Sequence, residues 1–305
     1  MPILGAHMSI AGGYHRAVER AAAVGCDCVQ LFTGNPRSLP VASTHLPFGK
    51  FLTRNTSQWR ARPIGPDEPA RFRAALTQCG IGPTAAHASY LINLASPAEP
   101  LWRQSVESLL LELTRAQSLG IPVLVVHPGA HMGAGDEAGL RRIAQALDVA
   151  HRRGRRLPVR CLLENTAGQG TSLGWRPEHL ATILDLVQEP DRLGVCIDTC
   201  HWFAAGYGLA GPQAYRRTIE RLKKTIGLAK IEVFHLNDSK REQGARGDRH
   251  EHIGRGLVGL DGFRRLLHDE RFQRVPMVLE TPKGQAAGVD LDVVNLRTLR
   301  ELAGN

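Results

Sequence analysis

Six residues with metal-binding side chains, His87, His127, Glu164, Asp198, His235 and Glu280, stand at or next to the end of six short apolar segments. Imidazole nitrogen and carboxylate oxygen are donors that zinc takes, and a catalytic zinc keeps one position open for water or substrate. Two short clusters add to the set. Asp198-Thr199-Cys200-His201 places an imidazole three residues after a carboxylate, and Gly247-Asp248-Arg249-His250 places one two residues after. The total is nine candidate ligands. A single open zinc site needs three protein ligands, so nine fit a multinuclear cluster in which a carboxylate such as Glu164 is shared. The histidine content suits zinc or manganese and not magnesium, which prefers oxygen. Taken singly, a strand-end His is more often a hydrogen-bonded core residue. Six such side chains at one place would bury repelling charges and unpaired polar groups unless a cation balanced them.

That convergence needs a particular scaffold. Eight short runs have strand character: Ile3–His7, Cys28–Thr33, Thr84–His87, Val123–His127, Cys161–Glu164, Gly194–Asp198, Ile231–Leu236 and Met277–Glu280. Between and after them, apolar residues at three- and four-residue spacing predict helices over Tyr14–Val24, Pro69–Gln78, Leu101–Leu119, Ala138–His151, Pro177–Val187, Gln213–Thr225, Asp261–Asp269 and Leu291–Leu302. Gly25, Gly80, Gly120 and Gly227 follow helices as stop signals. Strict β/α alternation over a length somewhat above the barrel norm of about 250 residues predicts one α/β domain spanning 1–305, a (β/α)8 TIM barrel. In such a barrel all strands end on the same face, and ligands remote in sequence meet there. The surplus length falls in loops, chiefly Pro36–Pro66, which has no helical or alternating pattern and follows the second strand on the catalytic face.

The formal charge is +9, from 38 basic and 29 acidic residues, and only six of the basic ones are Lys. Guanidinium groups fork phosphate oxygens, so an arginine excess fits a nucleic-acid partner. Six cysteines, at 26, 28, 79, 161, 196 and 200, show no Cys-x-x-Cys spacing and are expected to be reduced packing residues. Cys200, between Asp198 and His201, is close enough in sequence to touch a metal, although the turn is expected to point it away. Apolar runs are short, and no basic region precedes one at the N-terminus, so no membrane span is expected and the cytoplasm is the expected compartment. Gly254-Arg255-Gly256-Leu257-Val258-Gly259 fits the dinucleotide fingerprint, but His250-Glu251-His252 precedes it in place of a buried strand, which argues against nucleotide binding. His7 is expected to line the site without binding metal, and His131 and His252 are candidates for partners of the ligands.

The motifs together carry a resemblance. His87-Ala88-Ser89-Tyr90-Leu91-Ile92-Asn93-Leu94, His127-Pro128-Gly129-Ala130-His131, Glu164-Asn165-Thr166-Ala167-Gly168-Gln169-Gly170, Cys196-Ile197-Asp198-Thr199-Cys200-His201, His235-Leu236-Asn237-Asp238 and Asp248-Arg249-His250 resemble the endonuclease IV family of zinc-dependent apurinic/apyrimidinic DNA endonucleases. They occur in the family's order from Leu4 to Glu280. The resemblance implies a TIM barrel with three Zn2+ ions, one of them open to replacement by Mn2+. It implies hydrolysis of the phosphodiester 5′ to an abasic site in double-stranded DNA, in base-excision repair, by a monomer. Carried over, His87, His127 and Glu164 hold one zinc; Glu164, Asp198, His235 and Glu280 a second; His201, Asp248 and His250 the third. Glu164 and Glu280 would orient or deprotonate the attacking water.

The resemblance also assigns Tyr90 and Leu91 to side chains that enter the duplex, where extrusion is cheap because no base has to be unstacked. Two departures stand out. Ala88 replaces the family's Asp beside the first ligand. Within 36–66 an insertion of about twenty residues places either Arg37 or Ser57 at the family's penetrating arginine, by comparison of the two family-like segments at Leu31–Asn35 and Phe51–Asn55. Two rival functions share some of these features: a metal-dependent sugar isomerase or epimerase on the same barrel, and a non-catalytic binder of damaged DNA. The extra His201, Asp248 and His250 set argues against the first, and the complete ligand set against the second.

Overall fold

The computed structural model describes residues 1–34 and 63–304. Arg37, Ser57 and most of the segment 36–66 lie outside the described residues. Eight parallel strands close into a barrel. These are β1 (Leu4–Met8), β2 (Cys28–Phe32), β3 (Thr84–His87), β4 (Val123–Val126), β5 (Arg160–Glu164), β6 (Leu193–Asp198), β7 (Ile231–His235) and, after two-residue strands β8 (Asp238–Ser239) and β9 (His250–Glu251), β10 (Met277–Leu279). Each pairs with its sequence neighbours in the ring, and β10 closes it on β1 with Leu4 opposite Met277. A further hairpin joins β11 (Gln285–Ala286) and β12 (Val289–Asp290).

The predicted helices form within two residues of their expected ends: α1 (Tyr14–Ala23), α2 (Glu68–Cys79), α3 (Glu99–Leu119), α4 (Asp136–Arg153), α5 (Pro177–Leu186), α7 (Pro212–Thr225), α8 (Gly259–Leu267) and α9 (Leu291–Ala303). A short helix that the pattern did not announce, α6 (Thr199–Ala204), directly follows β6. None of the helices among the described residues is long and apolar enough to cross a membrane.

Strand pleating sorts each barrel strand into two faces. One set, with Leu4, Val29, Leu31, Ala86, Leu124, Val126, Leu163, Val195 and Phe234, packs in the core shared with the helices. The other set, Cys28, Ala85, Val125, Leu162, Cys196, Val233 and Val278, makes a separate apolar cluster inside the barrel. Two residues further along, the same inward faces carry Gln30, His87, His127, Glu164, Asp198, His235 and Glu280. The chemistry-bearing side chains therefore form one polar layer resting on one apolar layer.

Close approach within the barrel wall fixes Gly5 on β1. A Cβ there would fall 2.0 Å from the backbone carbonyl oxygen of Cys28 on β2, which cannot move aside without breaking the ladder. Gly5→Ala is expected to lower the unfolding free energy by about 3 kcal/mol, the upper end for overpacking, measured by urea denaturation.

Candidate metal centre

Glu164 ends β5 with no exposure and meets four imidazoles. Its Oε2 lies 3.0 Å from Nε2 of both His87 and His127, and its Oε1 lies 3.1 Å from His235 Nδ1 and 3.3 Å from His201 Nδ1. Burial opposes ionisation of this carboxyl, but the charges of His127 and His235 and hydrogen bonds from His127 and His201 outweigh it and hold it well below the usual carboxylate range.

The other ligands follow from β6, β7, β10 and the loop between β7 and β10. Glu280 Oε2 is 3.2 Å from His235 Nδ1. Its carboxyl, too, is held well below the usual range, burial being outweighed by the charge of His235 and a hydrogen bond from His7. Asp198 is the N-cap of α6, its Oδ1 accepting from the His201 amide at 2.7 Å. This short helix is what turns His201 back over the barrel. Strand β9 pairs antiparallel with β8, Ser239 opposite His250, and so returns the long loop after β7 to the site. There Asp248 lies 3.3 Å from both His201 Nε2 and His250 Nε2, and its carboxyl falls to about 2 because bonding to His201 and the charges of His201 and His250 outweigh burial.

Among the described residues, donor atoms within 4.8 Å of one another form the groups His87, His127 and Glu164; Glu164, Asp198, His235 and Glu280; and His201, Asp248 and His250. All nine candidates from the sequence are thus brought together. Asp198, Cys200 and His250 form a fourth such group, so the turn does not carry Cys200 out of reach. Burial, then the charge of Asp198, pushes that thiol up to about 12, which leaves it a packed neutral group. All six cysteines are free.

The donor set fits divalent cations on a second count. The ring nitrogens facing away from the ligand groups are held elsewhere: His87 Nδ1 meets the Ala88 carbonyl at 2.7 Å, His250 Nδ1 the Glu280 carbonyl at 3.1 Å, and His235 Nε2 the Gln30 amide oxygen at 2.9 Å. Such bonds fix the tautomer that leaves the other nitrogen free for a metal.

The sequence reading, which considered ionisable residues, gives no role to Gln30, nor to Asn165 and Asn237, although the last two stand in the motifs that carry the resemblance. Gln30 donates to Glu280 Oε1 at 2.6 Å while accepting from His235, so one amide orients two ligands. Asn237 donates to Asp198 Oδ2 at 2.6 Å and accepts from the Glu280 amide, tying β6 to β10. Asn165 accepts from the Asp198 amide at 2.6 Å. The available signal was periodicity: Gln30 is the polar residue two after Cys28 in an otherwise apolar run.

His7 lines the site as expected, 3.4 Å from Glu280 Oε1, and burial lowers its pKa. His131 and His252 are not partners of the ligands. His131 faces Asp136 at 3.5 Å, and His252 meets Asn295 at 3.1 Å. Ala88 is buried in the core outside the barrel, on the opposite face of the chain from His87, so the lost carboxylate leaves the ligand set intact. The glycine-rich stretch is occupied by the protein itself: Asp238 accepts from the amides of Gly254 and Gly256 through Oδ2 and Val258 through Oδ1, at 2.9 to 3.1 Å. Those amides are not open to a nucleotide. Tyr90 is 61% exposed and Leu91 half-buried on the loop after β3.

The barrel and its ring of donors define a class, and comparison with known proteins agrees: the family model of the xylose isomerase-like TIM barrel matches residues 18–301. The chain is 45% identical over 302 residues to a probable endonuclease 4 of Chloroflexus aurantiacus, covering 99% of this chain and 98% of the relative. It is 43% identical over 302 residues to another from Citrifermentans bemidjiense, covering 99% of both. The crystal structure of endonuclease IV from Thermus thermophilus matches with a TM-score of 0.82 and 36% identity over 99% of both chains. Within the class, the chain belongs to the endonuclease IV family. A D-tagatose 3-epimerase-like protein, at 18% identity and a TM-score of 0.69, shares the fold.

The orienting bonds and the buried imidazoles can each be tested. Gln30→Ala is expected to weaken metal binding about 10- to 100-fold, measured by competition with a chromogenic chelator; a loss under about threefold would deny Gln30 its orienting role. Burial opposes protonation of His201 and His235, but Asp198, Asp248 and Glu164 around the first, and Cys196, Glu280 and Glu164 around the second, raise both well above the ordinary imidazole value. Protons therefore compete with metal for these nitrogens over a pH range that extends above the ordinary imidazole value, and leave as metal enters. Apparent metal affinity should rise with pH across that range, with proton release detected calorimetrically in buffers of different ionisation enthalpy.

Proposed function

We propose that this apurinic/apyrimidinic endonuclease of the endonuclease IV family uses three zinc ions to hydrolyse the phosphodiester 5′ to an abasic site in double-stranded DNA. The products are a 3′-hydroxyl and a 5′-deoxyribose phosphate, and blocked 3′ ends are trimmed at the same site. The enzyme acts as a monomer in the cytoplasm, with manganese able to replace one zinc. The observation that carries the reading is Glu164, whose two oxygens face different histidines at 3.0 to 3.3 Å and which belongs to two ligand groups at once.

His87, His127 and Glu164 would hold the first ion, Glu164, Asp198, His235 and Glu280 the second, and His201, Asp248 and His250 the third. The five histidines as neutral imidazoles and the four carboxylates carry −4. Three divalent ions bring +6, so the loaded centre has a net charge of +2 and attracts a phosphodiester. Zinc, when bound, supplies the positive charge that activates water and offsets charge building on the phosphoryl oxygens. The chain's part is to hold, orient and take a proton. Glu280, at 18% side-chain exposure, borders the open side of the site and is pinned by Gln30, so its ionised carboxylate is placed to accept the proton of the attacking water. His127, at 36%, marks the same open side.

Tyr90 and Leu91 follow His87 by three and four residues on the rim. We assign them to the space vacated by the abasic nucleotide, since an exposed aromatic ring there can stack on the neighbouring base pair. Arg37, outside the described residues, is assigned the companion role.

The metal-replete protein is expected to cut a duplex 5′ to a tetrahydrofuran abasic analogue, which cannot undergo β-elimination. Glu280→Gln should lower kcat about 10²- to 10⁴-fold, the range for losing a general base. Elemental analysis should find three ions per chain. Intact DNA with the sites full would overturn the reading and direct attention to sugar substrates.

A further inference from the structure

Outside the metal centre, one cluster on the catalytic face is built from two loops that each carry candidate ligands. Trp175 lies in the loop that follows Glu164, and Arg246 lies two residues before Asp248. The Arg176 guanidinium carbon sits 4.1 Å from the centroid of the Trp175 ring, and that of Arg246 sits 4.3 Å from the same centroid. Both arginines are exposed, and the indole is half-buried. Among the described residues, neither guanidinium has a carboxylate or hydrogen-bond partner, whereas neighbouring Arg221 is paired with Glu178 at 2.9 Å. Two cations stacked on one ring repel each other. The charge of Arg176 is felt by Glu178, but that carboxylate is bonded to Arg221, so among the described residues neither stacked guanidinium has an ion pair of its own and an anion would complete the cluster.

The backbone is arranged to keep them there. Arg246 has φ +51°, a left-handed conformation uncommon outside glycine that persists where surrounding structure enforces it. Its amide donates to the Ala204 carbonyl at 2.8 Å, fastening it to the end of the helix that bears His201. Gly168 leaves room for the indole, since a Cβ there would lie 2.9 Å from Trp175 Cγ, and Gly174 lets the chain before Trp175 press on Pro128 and the Glu164 carbonyl. The platform is thus packed directly against the segments that hold His127 and Glu164.

The geometry points to Arg176, Trp175 and Arg246 as a phosphate-binding platform that grips the backbone of the bound DNA strand next to the scissile phosphate. This rests on the reading of the site as a DNA phosphodiesterase and names a contact that positions its substrate. The two guanidinium groups offer planar forks to phosphate oxygens, and the indole holds both planes in place, so little side-chain entropy is lost on binding. No base edge is read; the contact is to charge and serves any sequence. These are positioning residues: they hold the flanking backbone and act on no reacting atom.

The test uses the metal-loaded full-length protein and a duplex with one tetrahydrofuran site. Arg176→Gln with Arg246→Gln is expected to weaken binding about tenfold at moderate salt and to lower the slope of log K against log salt by about one, the signature of one lost phosphate contact. The effect on KM should exceed that on kcat. A neutral methylphosphonate walked along the strand should weaken the wild type at one flanking position where it costs the double variant nothing more. Arg176→Lys with Arg246→Lys keeps the charge without the stacked fork and should restore the salt slope while recovering only part of the affinity. An unchanged slope, or methylphosphonate losses that add fully at every position, would overturn the platform even if cleavage proceeds. A wild type that binds with this pattern but never cuts would support the platform while sinking the endonuclease reading.

Discussion

The structure is organised around keeping a wholly buried carboxylate, Glu164, ionised among four imidazoles. An isolated charge at that depth would cost many kcal/mol or simply take up a proton. Here the cost is offset by histidines delivered from β3, the end of β4, the end of β7 and the start of α6. No single segment could supply them, because side chains two residues apart on a strand share a face but cannot turn back on each other. Closure of eight parallel strands solves this by bringing successive strand ends round a circle, so that the separation in sequence between His87 and His235 has no bearing on their separation in space.

The apolar layer beneath makes this arrangement rigid. Cys28, Ala85, Val125, Leu162, Cys196, Val233 and Val278 fill the barrel with small and branched side chains, and each supports the polar residue two positions above it. Hydrogen bonds of Gln30, Asn165 and Asn237 then fix the direction of each donor. Ligand placement thus rests on the barrel and on these amides, which is how one chain can gather crowded like-charged oxygens at one place.

Much of this was legible in the sequence, and the reasons differ by element. The barrel strands were readable because each is short and apolar and most end in an ionisable residue, and the helices because their lengths display a full amphipathic period. Helix α6 escaped because six residues are too few to show that period, although its N-cap, Asp198, was already singled out for another reason. Gln30 escaped because an amide is not a metal ligand, so only the inward alternation of β2 marks it. The glycine-rich stretch illustrates the opposite failure, a pattern with the right spacing whose amides are claimed by a distant Asp. The pairing of Trp175 with Arg246 depends on how two loops cross and has no local trace.

Asp238 gives that stretch a meaning of its own. A carboxylate receiving a fan of backbone amides stands where a ligand phosphate would stand in a nucleotide-binding loop. The protein thus carries an internal imitation of its substrate's charged group, permanently bound. Gly256 is essential to it, because a Cβ there would lie 2.5 Å from Asp238 Oδ1. Left empty, such an anion-seeking loop would compete for passing nucleotides and other phosphates. With the nest already filled, the entropy of ordering it is spent during folding, and its amides take up no outside anion.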